Sequence, residues 1–264
     1  MSSATASCIW IEPPPRFAYA SAVLTGKPWQ LEPALQFLLR LFGCFGAGMV
    51  ALAGLRAAVG ETAAGSLPAL ALGIGSTHGG VLLLTVFFLR AHAVTWTEAF
   101  GLRRQVGWAL ALGGAVFVII LPVTWALQSL LAGWFQRHGF EFEQQEAVRL
   151  LRETSGFWRR GLLALFAVVI APVAEEIFFR GLLYPLVKQH TARGFAVVTV
   201  SLGFALLHGN VPVLLPLWLL AVVLTLLYEW TGNLLACVTV HALFNAANFA
   251  ALFLVEKFGD RPPL

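Results

Sequence analysis

Charged and hydrogen-bonding side chains inside long apolar runs are the first candidates for chemistry in this sequence. In the run GLLALFAVVIAPVAEEIFFRGLLYPLV the charged residues are Glu175, Glu176 and Arg180, and they lie within the run rather than at its edges. An ionisable group near the centre of a bilayer costs about 2.5–3.5 kcal/mol on insertion scales, so such residues face a bundle interior or a wet cavity. Glu176 and Arg180 are four apart with the acid first, the favoured order for a helical ion pair. Glu175 is turned about 100° around the helix from Glu176 and has no local cation, which is how a general base is presented. A purely stabilising ion-pair network accounts for Glu176 and Arg180 but leaves Glu175 unexplained.

Two further motifs follow on separate apolar segments. Phe204-Ala-Leu-Leu-His208 and His241-Ala-Leu-Phe-Asn245 each place two residues on one helical face, and Asn248 lies three further along the second face. Alone, each histidine reads as an interhelical hydrogen-bond partner and the His241, Asn245, Asn248 stripe as a hydrogen-bonded seam. The acidic pair in the same bundle favours a site, because a carboxylate, two imidazoles and a carboxamide can converge on one water or hold a metal through Glu and His.

The expected site needs no cofactor. The HExxH zinc spacing is absent, and the candidate metal ligands Glu175, His208 and His241 come from three separate segments. Asn245 is a poor zinc ligand, and Glu176, the acid that would support a zinc-bound histidine, is already claimed by Arg180. A zinc site of the His₂Glu kind is the alternative. Other candidates are weaker. Cys237 shares a face with His241 but reads as packing, and Ser201 lies seven before His208 with no GxSxG turn around it. His78 follows Ser76 and Thr77 among glycines and reads as an interhelical bond, while His92, His138 and His190 fall in loops or at interfaces. Cys8, Cys44 and Cys237 form no CxxC pair or disulfide framework.

The elements that must position these residues are membrane helices. The 264-residue chain is 59% hydrophobic and 11% charged, too few charges to cover a soluble domain. Its net charge of +4 is spread over loops with no basic cluster clear of the bilayer, so a nucleic-acid partner is not expected. A span needs about 20 apolar residues, and about seven candidate segments meet or approach that: 34–58, 67–89, 106–131, 161–187, 193–208, 212–229 and 233–255. Gly209-Asn210-Val211-Pro212 splits one uncharged stretch into the fifth and sixth, leaving His208 at the end of a short helix. Residues 132–160 read as an amphipathic interfacial helix. The PPP-bearing N-terminus has neither a basic region nor a long apolar run and reads as a loosely held tail rather than a signal peptide. Arg90, Arg103 and Arg104 with Lys188 and Arg193 place two loops in the cytoplasm, and the N-terminus with them, although Arg159 and Arg160 argue the opposite way.

EEIFFRG, FALLH and HALFN, on consecutive segments and in this order, resemble the motifs of the CPBP intramembrane proteases. That family is also called the Abi or CAAX-protease group and includes the type II CAAX prenyl endopeptidases. Its pattern is Glu-Glu with Arg four residues after the second Glu, then Phe-x-x-x-His, then His-x-x-x-Asn. The resemblance implies an all-α polytopic transmembrane bundle whose last four spans form the catalytic core. It implies that Glu175 activates water, that His208, His241 and Asn245 position that water or stabilise the oxyanion, and that Glu176, Arg180 and Phe204 support them. The expected organisation is a tail at 1–32, accessory spans and the interfacial helix at 33–157, a CPBP-like core at 158–255 and a short tail at 256–264. The expected activity is cleavage of a membrane-associated protein or peptide by an integral, multi-pass enzyme, in the inner membrane if the cell is prokaryotic. The competing reading is a non-enzymatic membrane protein, either a proton or metal transporter or a scaffold or immunity-type protein. The absence of a visible internal repeat counts against a transporter.

Overall fold

A computed structural model describes residues 26–60, 66–103, 105–140, 154 and 156–258. Among the described residues the secondary structure is helical throughout. It runs α1 (Leu31–Val59), α2 (Leu67–Ile74), α3 (Gly80–Ala91), α4 (Trp96–Phe100), α5 (Val106–Arg137), α6 (Phe157–Leu165), α7 (Ala171–Glu176), α8 (Tyr184–His190), α9 (Arg193–Leu207), α10 (Val211–Thr231) and α11 (Leu234–Phe258). Three π-helical stretches join these helices into longer rods: π1 (Gly75–Gly79) between α2 and α3, π2 (Phe166–Ile170) between α6 and α7, and π3 (Ile177–Leu183) between α7 and α8. Six of the expected segments are long and apolar enough to cross a membrane, and the chain is a multi-pass integral membrane protein. The remaining one, the fifth segment, is α9 and has 15 residues. At 1.5 Å per residue it is about 22 Å long, short of the ~30 Å hydrocarbon core.

The breaks follow local chemistry. Gly209 takes φ 61° and Asn210 is extended, so α9 ends at His208 and α10 starts afresh with Pro212 in its first turn. Thr95 and Glu98 form a reciprocal capping box that starts α4, and the Thr95 hydroxyl and amide hold the Glu98 carboxyl below the usual carboxylate range. Two expectations change. Residues 132–137 continue α5 rather than starting an interfacial helix, because the apolar run persists to Arg137, and the fourth span already begins at Phe157. His138–Phe140 form a turn after α5, and residues 141–153 and 155 of the expected interfacial helix lie outside the described residues. Trp29, placed in the loose tail by the sequence, is buried between α3 and π3, with its ring edge-on to Phe88 and its Nε1 donating to Gly181 O at 3.0 Å.

The bundle has one densely packed half. α5 lies along α10 and α11, α9 lies along α10, and α11 also meets π2 and α7. α1 packs on the rod of α2, π1 and α3, and π1 reaches α7. On the loop side of α10, the buried Glu229 accepts from Tyr184 Oη at 2.7 Å and from Lys188 Nζ at 2.7 Å, with Arg193 Nε at 3.4 Å. That cluster ties α8, α9 and α10 together at one end of the site.

Close approach of α5 to α11 depends on Gly113, where a Cβ would stand 2.8 Å from both Ala236 O and Thr239 Cβ. Gly113→Ala is expected to lower the thermal unfolding midpoint in detergent through an overpacking cost of about 1–3 kcal/mol. Gly114→Ala, whose Cβ meets nothing within 4 Å, is expected to leave the midpoint unchanged or raise it.

Candidate active site

The site is built outward from α7 and π3. Glu176 and Arg180 are fully buried, with Nη1 donating to Glu176 Oε1 at 2.9 Å. The guanidinium also gives Nη2 to Ala221 O of α10 at 3.1 Å and lies 4.8 Å over the ring of Phe204. Phe204 is thereby the hub of the aromatic packing. Its ring contacts Phe179, His208 and His241, with centroids 5.1, 4.7 and 5.6 Å away.

Glu176 has two tasks where the sequence suggested one. Its Oε1 accepts from Arg180 and also from His241 Nδ1, at 2.7 Å. The argument that Arg180 leaves Glu176 no capacity to support a histidine is therefore corrected: one carboxylate oxygen has two lone pairs and uses both. Glu175, one residue earlier, turns away from this sealed pair and is about one-fifth exposed. His241 Nε2 stands 3.8 Å from its Oε2. His208, at the C-terminal cap of α9, donates Nδ1 to Phe204 O at 2.8 Å and is within electrostatic reach of Glu175 without bonding it directly.

A third imidazole completes the surroundings of Glu175. His78 of π1 places Nε2 3.2 Å from Glu175 Oε1. The sequence foretold an interhelical bond for His78 but not that its partner is the candidate base. The available signal was general: an ionisable residue within a membrane span is a functional candidate by default.

Hydrogen-bond accounting assigns the ring protons. Thr77 Oγ1 gives its proton to Gly73 O at 2.7 Å, since a carbonyl can only accept, and so it receives His78 Nδ1–H at 2.8 Å. Phe204 O and the Glu176 carboxylate fix Nδ1–H of His208 and His241 in the same way. All three rings thus keep Nε2 for the site, and two of these atoms face Glu175. The short contact between His78 Nε2 and Glu175 Oε1 requires one proton between them.

The remaining candidates divide cleanly. Asn245 gives one N–H of its amide to Ala167 O of π2 at 2.8 Å and keeps the other. Asn248 faces away, accepting from Trp125 Nε1 of α5 at 3.0 Å. Cys237 is buried with its thiol donating to Leu224 O, and Ser201 is buried against Thr225 rather than His208, as packing roles require. His92 links Gln30 N to Phe88 O and is structural.

The donor types would suit zinc, because carboxylate and imidazole Nε2 atoms with supported Nδ1–H groups are its usual partners. Their arrangement does not fit: among the described residues no three His, Cys, Asp or Glu side chains are placed to hold a metal ion together.

Removing one member of the sealed pair strands the other. Arg180→Ala is expected to cost about 3–5 kcal/mol of stability, read as lost yield and a lower unfolding midpoint in detergent. The double change of Glu176→Gln with Arg180→Ala is expected to recover part of that loss. A stable, well-expressed single variant would contradict the pairing.

Comparison with known proteins bears on the same residues. Residues 157–247 match the family model for type II CAAX prenyl endopeptidase Rce1-like proteins. An uncharacterized protein, YpbD of Bacillus subtilis (strain 168), is 36% identical over 89 residues, which make up 31% of this chain and 41% of YpbD. The chain thus spans less than half the length of that relative. No solved structure gives a significant match. Over residues 157–247, which carry Glu175, Glu176, Arg180, His208, His241 and Asn245, this chain is similar to the Rce1-like family.

Proposed function

We propose that the protein is an intramembrane endopeptidase that cleaves a membrane-associated protein or peptide using water activated by Glu175. The observation that carries this reading is a carboxylate within an apolar span, met by imidazole nitrogens from two other spans, inside a region matching a peptidase family. Glu175 takes a proton from water as the water oxygen adds to the scissile carbonyl. The second N–H of Asn245, or an imidazole donor, meets the oxyanion that forms. On collapse the C–N bond breaks, and the proton held at Glu175 passes to the leaving amine. Glu176 and Arg180 keep the His241 ring in place throughout.

The test uses a fluorophore-quencher CAAX peptide, prenylated and unprenylated, with purified protein in detergent. Glu175→Gln is expected to lower kcat by about a thousandfold or more, the upper part of the range for loss of a general base. Yield and unfolding midpoint are expected to stay unchanged. A parent protein that cleaves neither peptide, or a variant retaining more than a few per cent of parent activity, would overturn the proposal.

We also propose that the reaction needs no resident zinc, because the nitrogens nearest Glu175 address different oxygens of its carboxylate rather than one common point. Activity is expected to survive exhaustive chelation, with substoichiometric zinc by elemental analysis. Stoichiometric zinc whose removal abolishes activity and whose return restores it would reverse this while leaving the same residues at the centre.

A further inference from the structure

The Rce1-like match begins at residue 157, yet among the described residues the side chain hydrogen-bonded to the Glu175 carboxylate is that of residue 78. We infer that His78 is a positioning residue for the catalytic carboxylate, so that the second span is a working part of the active site. This inference rests on the reading of Glu175 as the base.

A relay of hydrogen bonds supports it. Gly73 O accepts from Thr77 Oγ1 at 2.7 Å, Thr77 Oγ1 accepts from His78 Nδ1 at 2.8 Å, and His78 Nε2 meets Glu175 Oε1 at 3.2 Å. Each bond fixes the next, so the orientation of the Glu175 carboxylate is set from the backbone of α2. With Oε1 held by His78, Oε2 is the oxygen left to face water and His241.

Local structure suits that task. His78 lies in π1, and π-helical turns inside helices are frequent at functional sites. Phe166 of π2 closes over the imidazole edge-on at 5.0 Å, which restrains the ring without competing for its nitrogens. Gly80, two residues on, has Cys44 of α1 at its back, 3.3 Å from where a Cβ would stand. The rod is therefore seated from behind as well as in front.

The experiment compares His78→Leu, His78→Gln and Glu175→Gln on the CAAX peptide that the parent cleaves. Glutamine keeps a donor close to the position of Nε2, whereas leucine keeps only bulk. His78→Leu is expected to reduce kcat by about tenfold or more, as for loss of a charge-assisted hydrogen bond. KM and the unfolding midpoint are expected to stay near the parent values, and His78→Gln is expected to recover most of the lost rate. In the Glu175→Gln background, His78→Leu is expected to cause no further loss. Thr77→Val leaves His78 in place but removes its anchor, and it is expected to lower kcat several-fold. It decides the matter alone should His78→Leu fail to fold.

Equal activities for the leucine and glutamine variants, whether both high or both low, would overturn the inference. So would a Thr77→Val protein with parental kcat. If Glu175→Gln abolishes cleavage while His78→Leu is fully active, this inference alone fails. If Glu175→Gln stays active, the reading of the base fails first.

Discussion

A fully desolvated ion pair between Glu176 and Arg180 is the constraint around which the half carrying the candidate site is organised. Burying two charges rarely adds stability over apolar residues of similar volume, and breaking such a pair is costly. The pair is also incompletely satisfied, since Glu176 Oε2 and Arg180 Nε are buried without hydrogen-bond partners among the described residues. Its benefit lies in geometry. Through Ala221 O, the Phe204 ring and His241 Nδ1, one acid and one base fix positions on α10, α9 and α11 relative to α7. An apolar substitute could fill the space, but it could not hold the His241 ring with Nε2 towards Glu175.

The π-helical stretches form the second organising feature, and all three border the site. Ala167 O in π2 receives the Asn245 amide, Gly181 O in π3 receives the Trp29 indole, and π1 carries His78. A wider helical turn shifts the side-chain sequence around the rod and lets a neighbouring side chain reach a backbone carbonyl. Such turns are frequent at functional sites, and these three border the residues around Glu175. Gly181 shows how tightly this part is built, because a Cβ there would stand 2.5 Å from the Phe100 ring.

Much of this was legible from residue type alone. A charge inside an apolar run has few explanations, so Glu175, Glu176, Arg180, His208, His241 and Asn245 stand out without any coordinates. The break at Gly209 to Pro212 was equally plain, because those residues cannot continue a regular helix there. Pairings across long separations were not legible. His78 and Glu175 are 97 residues apart, and Trp29 and Gly181 are 152 apart, so nothing in local spacing connects them. The double use of Glu176 was hidden for a different reason. An i,i+4 partner accounts for the residue so well that the sequence gives no cause to look for a second. Glu229 was missed similarly: at the end of a span it looks like an ordinary interfacial charge, and only the fold brings Tyr184, Lys188 and Arg193 to it.

Exposure changes in one direction across the site, and that direction bears on how water and substrate enter. Arg180 and Glu176 are sealed, His241 is 3% exposed, His78 and Glu175 are 23% and 22% exposed at the side chain, and His208 lies on the exposed side. The gradient runs from the ion pair towards the end of α9, the helix too short to cross the hydrocarbon core. Backbone that leaves a helix at membrane depth is tolerated where it is covered by protein or lines a water-filled space. The chain leaves helix at Gly209 and Asn210, and His208 caps α9 there. Under the function proposed above, entry from that side would bring a peptide to the exposed imidazole first and to Glu175 next, while the buried charges of Glu176 and Arg180 stay behind it.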